Sequence, residues 1–214
     1  MHEKELSELI GIMLGDGCLS RSGKKYYIYI CGHKINDFEY HQVVTQQYLL
    51  KIFNKMSKIQ FRKFENTLFL RFSDKEIFLF FSKIGIPIGK KYNSIKIPQF
   101  VKDPVLFPSF IRGLFDTDGC FILSKQHKNV PYYPRIEITS KSEEFLSETL
   151  IYLKKMGFYG SVSNKGRGFR LEIPGRANLL KWNQMIGSNH PQKRVKMISF
   201  HSRNFYKQTI ETKR

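Results

Sequence analysis

Apolar residues recur at helical spacing over residues 4–16 and 107–118, and each stretch runs into an acid: Asp16 in "LIGIMLGDGC" and Asp118 in "IRGLFDTDGC". Alternating apolar and polar positions follow each helix, in "CLSRSGKKYYIYI" and "CFILSKQHKNVPYYPRIEIT", and predict hairpins with Gly- or Pro-containing turns. Helical spacing returns near 36–55 and 142–156. Second hairpins run over about 58–73 and 159–173, and last helices over 74–84 and 175–186. The chain therefore reads α-β-β-α-β-β-α twice, an α+β class built as a tandem repeat with a pseudo-two-fold axis.

The repeat extends to individual residues. Asp16 and Asp118 are 102 positions apart, as are Gly11 and Gly113, Gly17 and Gly119, and Cys18 and Cys120. "FFSKIGIPIGKK" is echoed by "KWNQMIGSNHPQKR". "ICGHKINDFEYHQ" resembles "ITSKSEEFLSETL", with the offset grown to 107 between Lys34 and Lys141, so the second copy carries a longer loop, "KQHKNVPYYP". Residues 1–86 and 107–194 are the expected halves. Residues 87–106, with Pro87, Pro98 and Pro104, form the linker, and 195–214 form a basic extension, an added arm or tail.

Small residues recur every four positions on both acid-ended helices: Ser7, Gly11 and Gly15, then Ser109, Gly113 and Thr117. Such faces let two backbones approach closely. If they pack together, Asp16 and Asp118 converge at the end of the interface. An acid at a helix C-terminus faces the unfavourable pole of the dipole, and two such acids repel unless a cation intervenes. Divalent metal with oxygen ligands relieves both problems.

Charge names the partner. Lys plus Arg number 36 against 18 acids, a net charge of +18, spread as +8 up to residue 102 and +10 beyond it. An evenly basic protein with 41% hydrophobic residues is folded and suits a polyanion, nucleic acid above all. Paired acids with metal in such a protein suggest phosphodiester hydrolysis. Three cysteines with no CxxC pair speak against a disulfide framework or structural zinc. They suit a reducing compartment, cytoplasmic and nucleoid-associated or organellar. The N-terminal "MHEKELSEL" is not a secretory signal, and the greasiest runs are too short to span a bilayer.

With these residues, "LIGIMLGDG" and "IRGLFDTDG" resemble the two signature helices of the LAGLIDADG homing endonucleases in their single-chain, two-repeat form. The resemblance covers roughly residues 5–195. It implies two antiparallel saddle-shaped sheets with helices on one face, and a monomer that lays those sheets along the major groove of a long pseudo-palindromic DNA site. It implies cleavage of both strands across the minor groove, leaving 3′ overhangs. By motif position Asp16 and Asp118 would bind the metal, Mg²⁺, with Mn²⁺ substituting and Ca²⁺ binding without cleavage. The backbone carbonyls of Gly15 and Thr117 would assist. Asp116 fits the consensus, but its equivalent in the first copy is Leu14, and it is not assigned to metal. His33–Lys34 and Ser140–Lys141 would lie near the scissile phosphates, the lysines stabilising developing charge.

Base readout falls on the strands. The candidates are Arg21, Lys24, Lys25, Tyr27, Tyr29, His33, Gln60, Arg62, Lys63 and Arg71 in the first half. In the second they are Lys125, Gln126, Lys128, Arg135, Ser140, Asn164, Lys165, Arg167 and Arg170. Period-two alternation turns about half of any such set to the other face. Lys90, Lys91, Lys193 and Arg194 are expected on phosphates. The competing readings are a non-cleaving binder on the same scaffold (an intron RNA maturase or a transcription regulator), a metal-dependent RNase, and the endonuclease part of an intein. The last is disfavoured here because the repeats start directly after Met1 without flanking self-splicing segments.

Overall fold

Helices and strands form in the order the sequence predicts. The computed structural model describes residues 2–91, 95–124 and 133–200. Helix α1 (Glu3–Gly15) carries Glu3 and Glu5 in its first turn, the favourable end for anions, and buries Leu9, Ile10, Ile12, Met13 and Leu14. Strands β1 (Gly17–Ser22) and β2 (Lys25–His33) follow as a hairpin. The predicted helix over 36–55 is present but not regular. It starts as α2 (Phe38–Tyr40), loosens into one π turn (His41–Thr45), and resumes as α3 (Gln46–Phe53). Within that turn the buried His41 Nδ1 lies 3.0 Å from Thr45 Oγ1. Strands β3 (Ile59–Phe61) and β4 (Thr67–Ser73) form the second hairpin. Helix α4 (Lys75–Lys83) closes the half, and its N-cap Asp74 accepts hydrogen bonds from the amides of Glu76 and Ile77.

The second half repeats the plan. Helix α5 (Phe107–Asp118) starts with Pro108 in its first turn. Strands β5 (Gly119–Ser124) and β6 (Tyr133–Ser140) flank residues 125–132, which lie outside the described set. Helix α6 (Glu143–Lys155) is N-capped by Ser142, and is followed by β7 (Ser161–Asn164), β8 (Phe169–Pro174) and α7 (Arg176–Met185).

Each half is one antiparallel sheet, ordered β1-β2-β4-β3 and β5-β6-β8-β7. One face of each sheet is apolar, with Ile28, Ile30, Leu68 and Leu70 in the first and Ile136, Ile138, Leu171 and Ile173 in the second, all buried. The other face carries Tyr27, Tyr29, His33 and Arg71, or Arg135, Glu137, Arg170 and Glu172, by the strand register.

Helices α1 and α5 pack along their small-residue faces. A Cβ added to Gly11 would lie 2.2 Å from the Phe110 carbonyl oxygen, and one added to Gly113 would lie 2.1 Å from that of Glu8. Only glycine permits so close a crossing. Ser7 Oγ donates to the Leu106 carbonyl at 2.8 Å.

The segment after α4 packs down: Ile95, Ile97 and Val101 are in the core, and the Gly89 amide donates to the Leu19 carbonyl at 2.7 Å. The basic extension does not begin as a loose arm at 195. Residues 191–200 are helical and Met197 is buried, because its apolar side chain completes the core. Residues 201–214 lie outside the described set. No helix among the described residues is long and apolar enough to cross a membrane.

Candidate active site

The packing of α1 on α5 ends both helices at one place. Asp16 caps α1 and Asp118 is the last residue of α5. A Cβ on Gly15 would lie 2.0 Å from Thr117 Oγ1 and 3.6 Å from Asp118 Cγ. The two signature acids therefore share one small volume. The electrostatics follow from that crowding. Burial first, then the facing carboxylates of Asp118 and Asp37, push Asp16 from its ordinary 3.8 up to about 7, against the pull of Lys91 and Lys193. Burial also raises Asp118.

Two ammonium groups answer the two helix ends. Lys91 Nζ donates to the carbonyls of Leu14 (2.8 Å) and Gly15 (2.5 Å). Lys193 Nζ donates to the carbonyls of Phe115, Asp116 and Gly119 at 2.7–2.8 Å. Both serve carbonyls at the helix ends, where amide partners run out, and both place a positive charge at the negative pole of the dipole. Burial holds both lysines below the ordinary 10.5. The sequence reading put them on phosphates. The signal for this other placement was in the repeat: they are 102 positions apart, like the acids.

Two desolvated carboxylates beside helix-end carbonyls make an all-oxygen donor set of the kind hard divalent cations take. The presence of two ammonium groups there marks the volume as one that calls for positive charge. The Gly15 carbonyl, expected on metal, is engaged by Lys91 in this structure. The described residues contain no group of three His, Cys, Asp or Glu able to hold a metal by themselves, so any ion would draw its remaining ligands from backbone, water or substrate.

A cavity of about 430 Å³ opens beside this pair, lined among others by Gly15, Lys91, Asp118, Ser140, Lys141, Lys165 and Arg167. Lys141 and Arg167 border it together, and the Lys141 ammonium donates to the Arg167 carbonyl. Lys34 goes elsewhere. Its ammonium lies over the Phe61 ring, 5.6 Å from the centroid, on the parity of the sheet that faces the helices. Strand register also moves the equivalence between halves. Gly17 pairs with Ile30 and Gly119 with Ile138, so three residues on, His33 matches Lys141, and Gly32 matches Ser140. The longer turn after His33, rather than the loop in the second copy alone, absorbs the difference. His33 Nδ1 accepts the amides of Ile35 (3.3 Å) and Asn36 (3.2 Å), which leaves Nε2 as its outward N–H donor.

The remaining sequence candidates divide by face. Lys25, Tyr27, Tyr29, Gln60 and Arg71 share the open face of the first sheet, where Arg71 lies 4.6 Å over the Tyr27 ring. Arg21 is on the helix side, over Tyr26, and Lys24 is in the exposed hairpin turn. Arg62 pairs with Glu65 at 3.3 Å in the exposed β3–β4 loop, which also holds Lys63. On the second sheet Arg135 and Arg170 are locked into a quartet with Glu137 and Glu172 (N–O 3.0–3.7 Å). Asn164 spends its side-chain oxygen on the Gly166 amide, and Ser140 Oγ accepts the Ser142 amide. Lys125, Gln126 and Lys128 lie outside the described residues.

Sequence reasoning did not find the strap that joins the halves. Asp116 accepts Ser188 Oγ and the amides of Asn189 and His190. His190 Nε2 lies 3.0 Å from Asp37 Oδ1 in the other half, and Asp37 Oδ2 in turn accepts the His33 amide at 2.6 Å. Glu8, fully buried, is held by Arg112 (2.6 and 2.7 Å) and by Asn189 (2.8 Å).

Comparison with known proteins agrees with this architecture. A family model described as a LAGLIDADG-like domain matches residues 109–187. The fold is that of a two-repeat LAGLIDADG protein. The solved homing endonuclease I-DmoI, in complex with DNA and Mn, aligns at a TM-score of 0.60 and 21% identity over 86% of this chain and 96% of that one. The LAGLIDADG meganuclease I-AabMI, bound to uncleaved DNA, aligns at 0.61 and 15% identity over 97% and 93%. The N-terminal LAGLIDADG domain of DUF199/WhiA aligns at 0.59 and 20% identity over 87% and 82%. At these identities the likeness is one of fold. Curated relatives include a component of the A-type ATP synthase of Pyrococcus abyssi (26% identical over 84% of this chain) and the tRNA-splicing ligase RtcB of the same organism (26% over 89%). The chain spans 16% and 23% of the length of these two relatives.

Proposed function

We propose that this protein is a site-specific double-strand DNA endonuclease of the homing type, acting as a monomer. The observation that carries the reading is the convergence of Asp16 and Asp118 at the ends of two close-packed helices, with a lysine ammonium at each end. The fold, shared with proteins solved on DNA, supports it. So does the pattern among curated relatives, whose names describe unrelated activities and which share less than a quarter of their length with this chain, 16% and 23%. The shared part is a minor segment of each of those proteins.

Asp16 and Asp118 would hold Mg²⁺, or Mn²⁺ in its place, with Ca²⁺ binding but not supporting cleavage. When bound, such a cation activates a water and steadies the leaving oxygen. Lys91 and Lys193, held on the helix-end carbonyls beside the acids, would offset negative charge developing on a phosphate bound there. Lys141, Lys165 and Arg167, around the cavity, would hold backbone phosphate. The open faces of the two sheets would read a long, imperfectly palindromic site through the major groove, and hydrolysis across the minor groove would leave 3′ overhangs. The two faces differ, cation- and tyrosine-rich in the first half and ion-paired in the second, so the two arms of the site should differ.

The alternative is a non-cleaving binder of DNA or intron RNA on the same scaffold, favoured by the WhiA neighbour. The test is cleavage of a randomised duplex library with Mg²⁺, with the cut ends sequenced. One long site with short 3′ overhangs is the expected product. Asp16→Ala with Asp118→Ala should abolish cutting and keep binding; a double variant that still cuts overturns the site, and a wild-type chain that selects nucleic acid without cutting it supports the binder.

A further inference from the structure

The loop joining β3 and β4, residues 62–66, holds an aromatic side chain that folding does not explain. Phe64 is wholly exposed. Its φ of 62° lies in the left-handed region, where a bulky side chain is an outlier. The corresponding β7–β8 loop meets its left-handed requirement with Gly166, φ 77°. The first half thus accepts both strain and an exposed ring at a position where glycine would serve the backbone better.

The loop's place gives the ring a use. Cys31 donates its amide to the Asp16 carbonyl at 3.0 Å, and β2 runs two residues further, to His33, which pairs with Thr67. The Lys34 amide then bonds the Asn66 carbonyl at 2.8 Å. The loop is therefore at the Asp16 end of its sheet. Its counterpart in the second half borders the Asp118 cavity through Lys165 and Arg167. Lys63 and Arg62, the latter paired with Glu65, flank Phe64 in the loop; where β3 enters the loop, exposed Phe61 stacks on Phe38 at 5.9 Å with the Lys34 ammonium over it, on the helix side of the sheet. Rings interleaved with cations suit a DNA groove, where thymine methyl edges offer apolar contact while the phosphates take the charge.

We infer that Phe64 is a specificity-determining contact of the first half-site, its ring packed on the apolar surface of a base near the cut, where the second half uses cations. The inference rests on the proposed DNA recognition and extends it: one side of the site is read partly through a contact that releases no counterions.

The probe is the duplex that the wild-type chain selects from a randomised library in EDTA. Phe64→Gly removes the ring and the backbone strain together, so its Tm should be no lower than wild type. It should bind that duplex about tenfold more weakly, the order of one aromatic–base contact, with an unchanged salt slope because no phosphate contact is lost. Reselection should lose base preference on one side of the centre only, and Phe64→Tyr should bind within about twofold of wild type. Affinity of Phe64→Gly within twofold of wild type, a shallower salt slope, or a lower Tm overturns the inference and leaves the endonuclease reading standing. A wild-type chain that selects no duplex overturns both.

Discussion

Replacing Asp16 by asparagine should stabilise the protein, and do so only above acid pH. In the unfolded chain Asp16 ionises at its ordinary 3.8; in the fold it holds its proton to about 7, chiefly because of burial and then because Asp118 faces it. Below pH 4 the carboxyl is neutral in both states and contributes nothing. Between pH 4 and 7 the folded state binds more protons than the unfolded one, so stability falls as pH rises, by about 1.4 kcal/mol per unit. Over the roughly three-unit interval the loss reaches about 4 kcal/mol and then levels off. The shift already contains the attraction of Lys91 and Lys193, so this figure is the net cost of the charge. The assay is urea unfolding of wild type and Asp16→Asn in EDTA at constant ionic strength, from pH 4 to 8. The two curves should coincide near pH 4 and separate by about 4 kcal/mol above pH 7, with Mg²⁺ narrowing the gap by binding only the wild type. A variant no more stable than wild type at pH 8 would refute the reasoning.

Further outcomes follow from the same contacts. Gly113→Ala drives a Cβ against the Glu8 carbonyl and should cost about 3 kcal/mol or more by forcing the signature helices apart; chemical denaturation reads it. Arg112→Met leaves the buried Glu8 carboxylate without the guanidinium that contacts its Oε2 twice and should cost about 3–5 kcal/mol, whereas a change under 1 kcal/mol would mean that Asn189, on Oε1, suffices. Lys193→Met takes a donor from three carbonyls at the end of α5 and should lower stability by about 2 kcal/mol and cleavage more than binding, measured on the selected duplex. Binding by wild type should weaken by orders of magnitude between about 50 and 200 mM salt; a flat response would argue against phosphate-dominated contact.

The register of the strands shows what a linear repeat leaves open. Matching the motifs in sequence pairs Lys34 with Lys141. The ladders pair His33 with Lys141 instead, because Ile30 and Ile138 occupy the same rung. A one-residue shift sends a side chain to the other face, and Lys34 accordingly lies over Phe61 rather than by the acids. Arg135 and Arg170 are another case: basic residues free on the open face of a sheet are indistinguishable in sequence from residues already neutralised by Glu137 and Glu172. The strap through Ser188, Asn189 and His190 carries no local pattern at all, since its partners, Asp116, Glu8 and Asp37, are distant in the chain.

What the sequence determined by itself is the part written in local periodicity and repeated: two αββαββα halves, the small-residue faces of α1 and α5, and the two acids that end them. Helical and strand spacing, caps and close-packing glycines act within a few residues, so a single copy records them and the second copy verifies them. Only the tertiary structure decided which charges reach the acids. Lys91 and Lys193 arrive from segments about 75 residues downstream of Asp16 and Asp118, and their placement depends on how each half folds back on its own signature helix. Burial, which lifts Asp16 to about 7, is likewise a property of the assembled interface, because desolvation requires both halves.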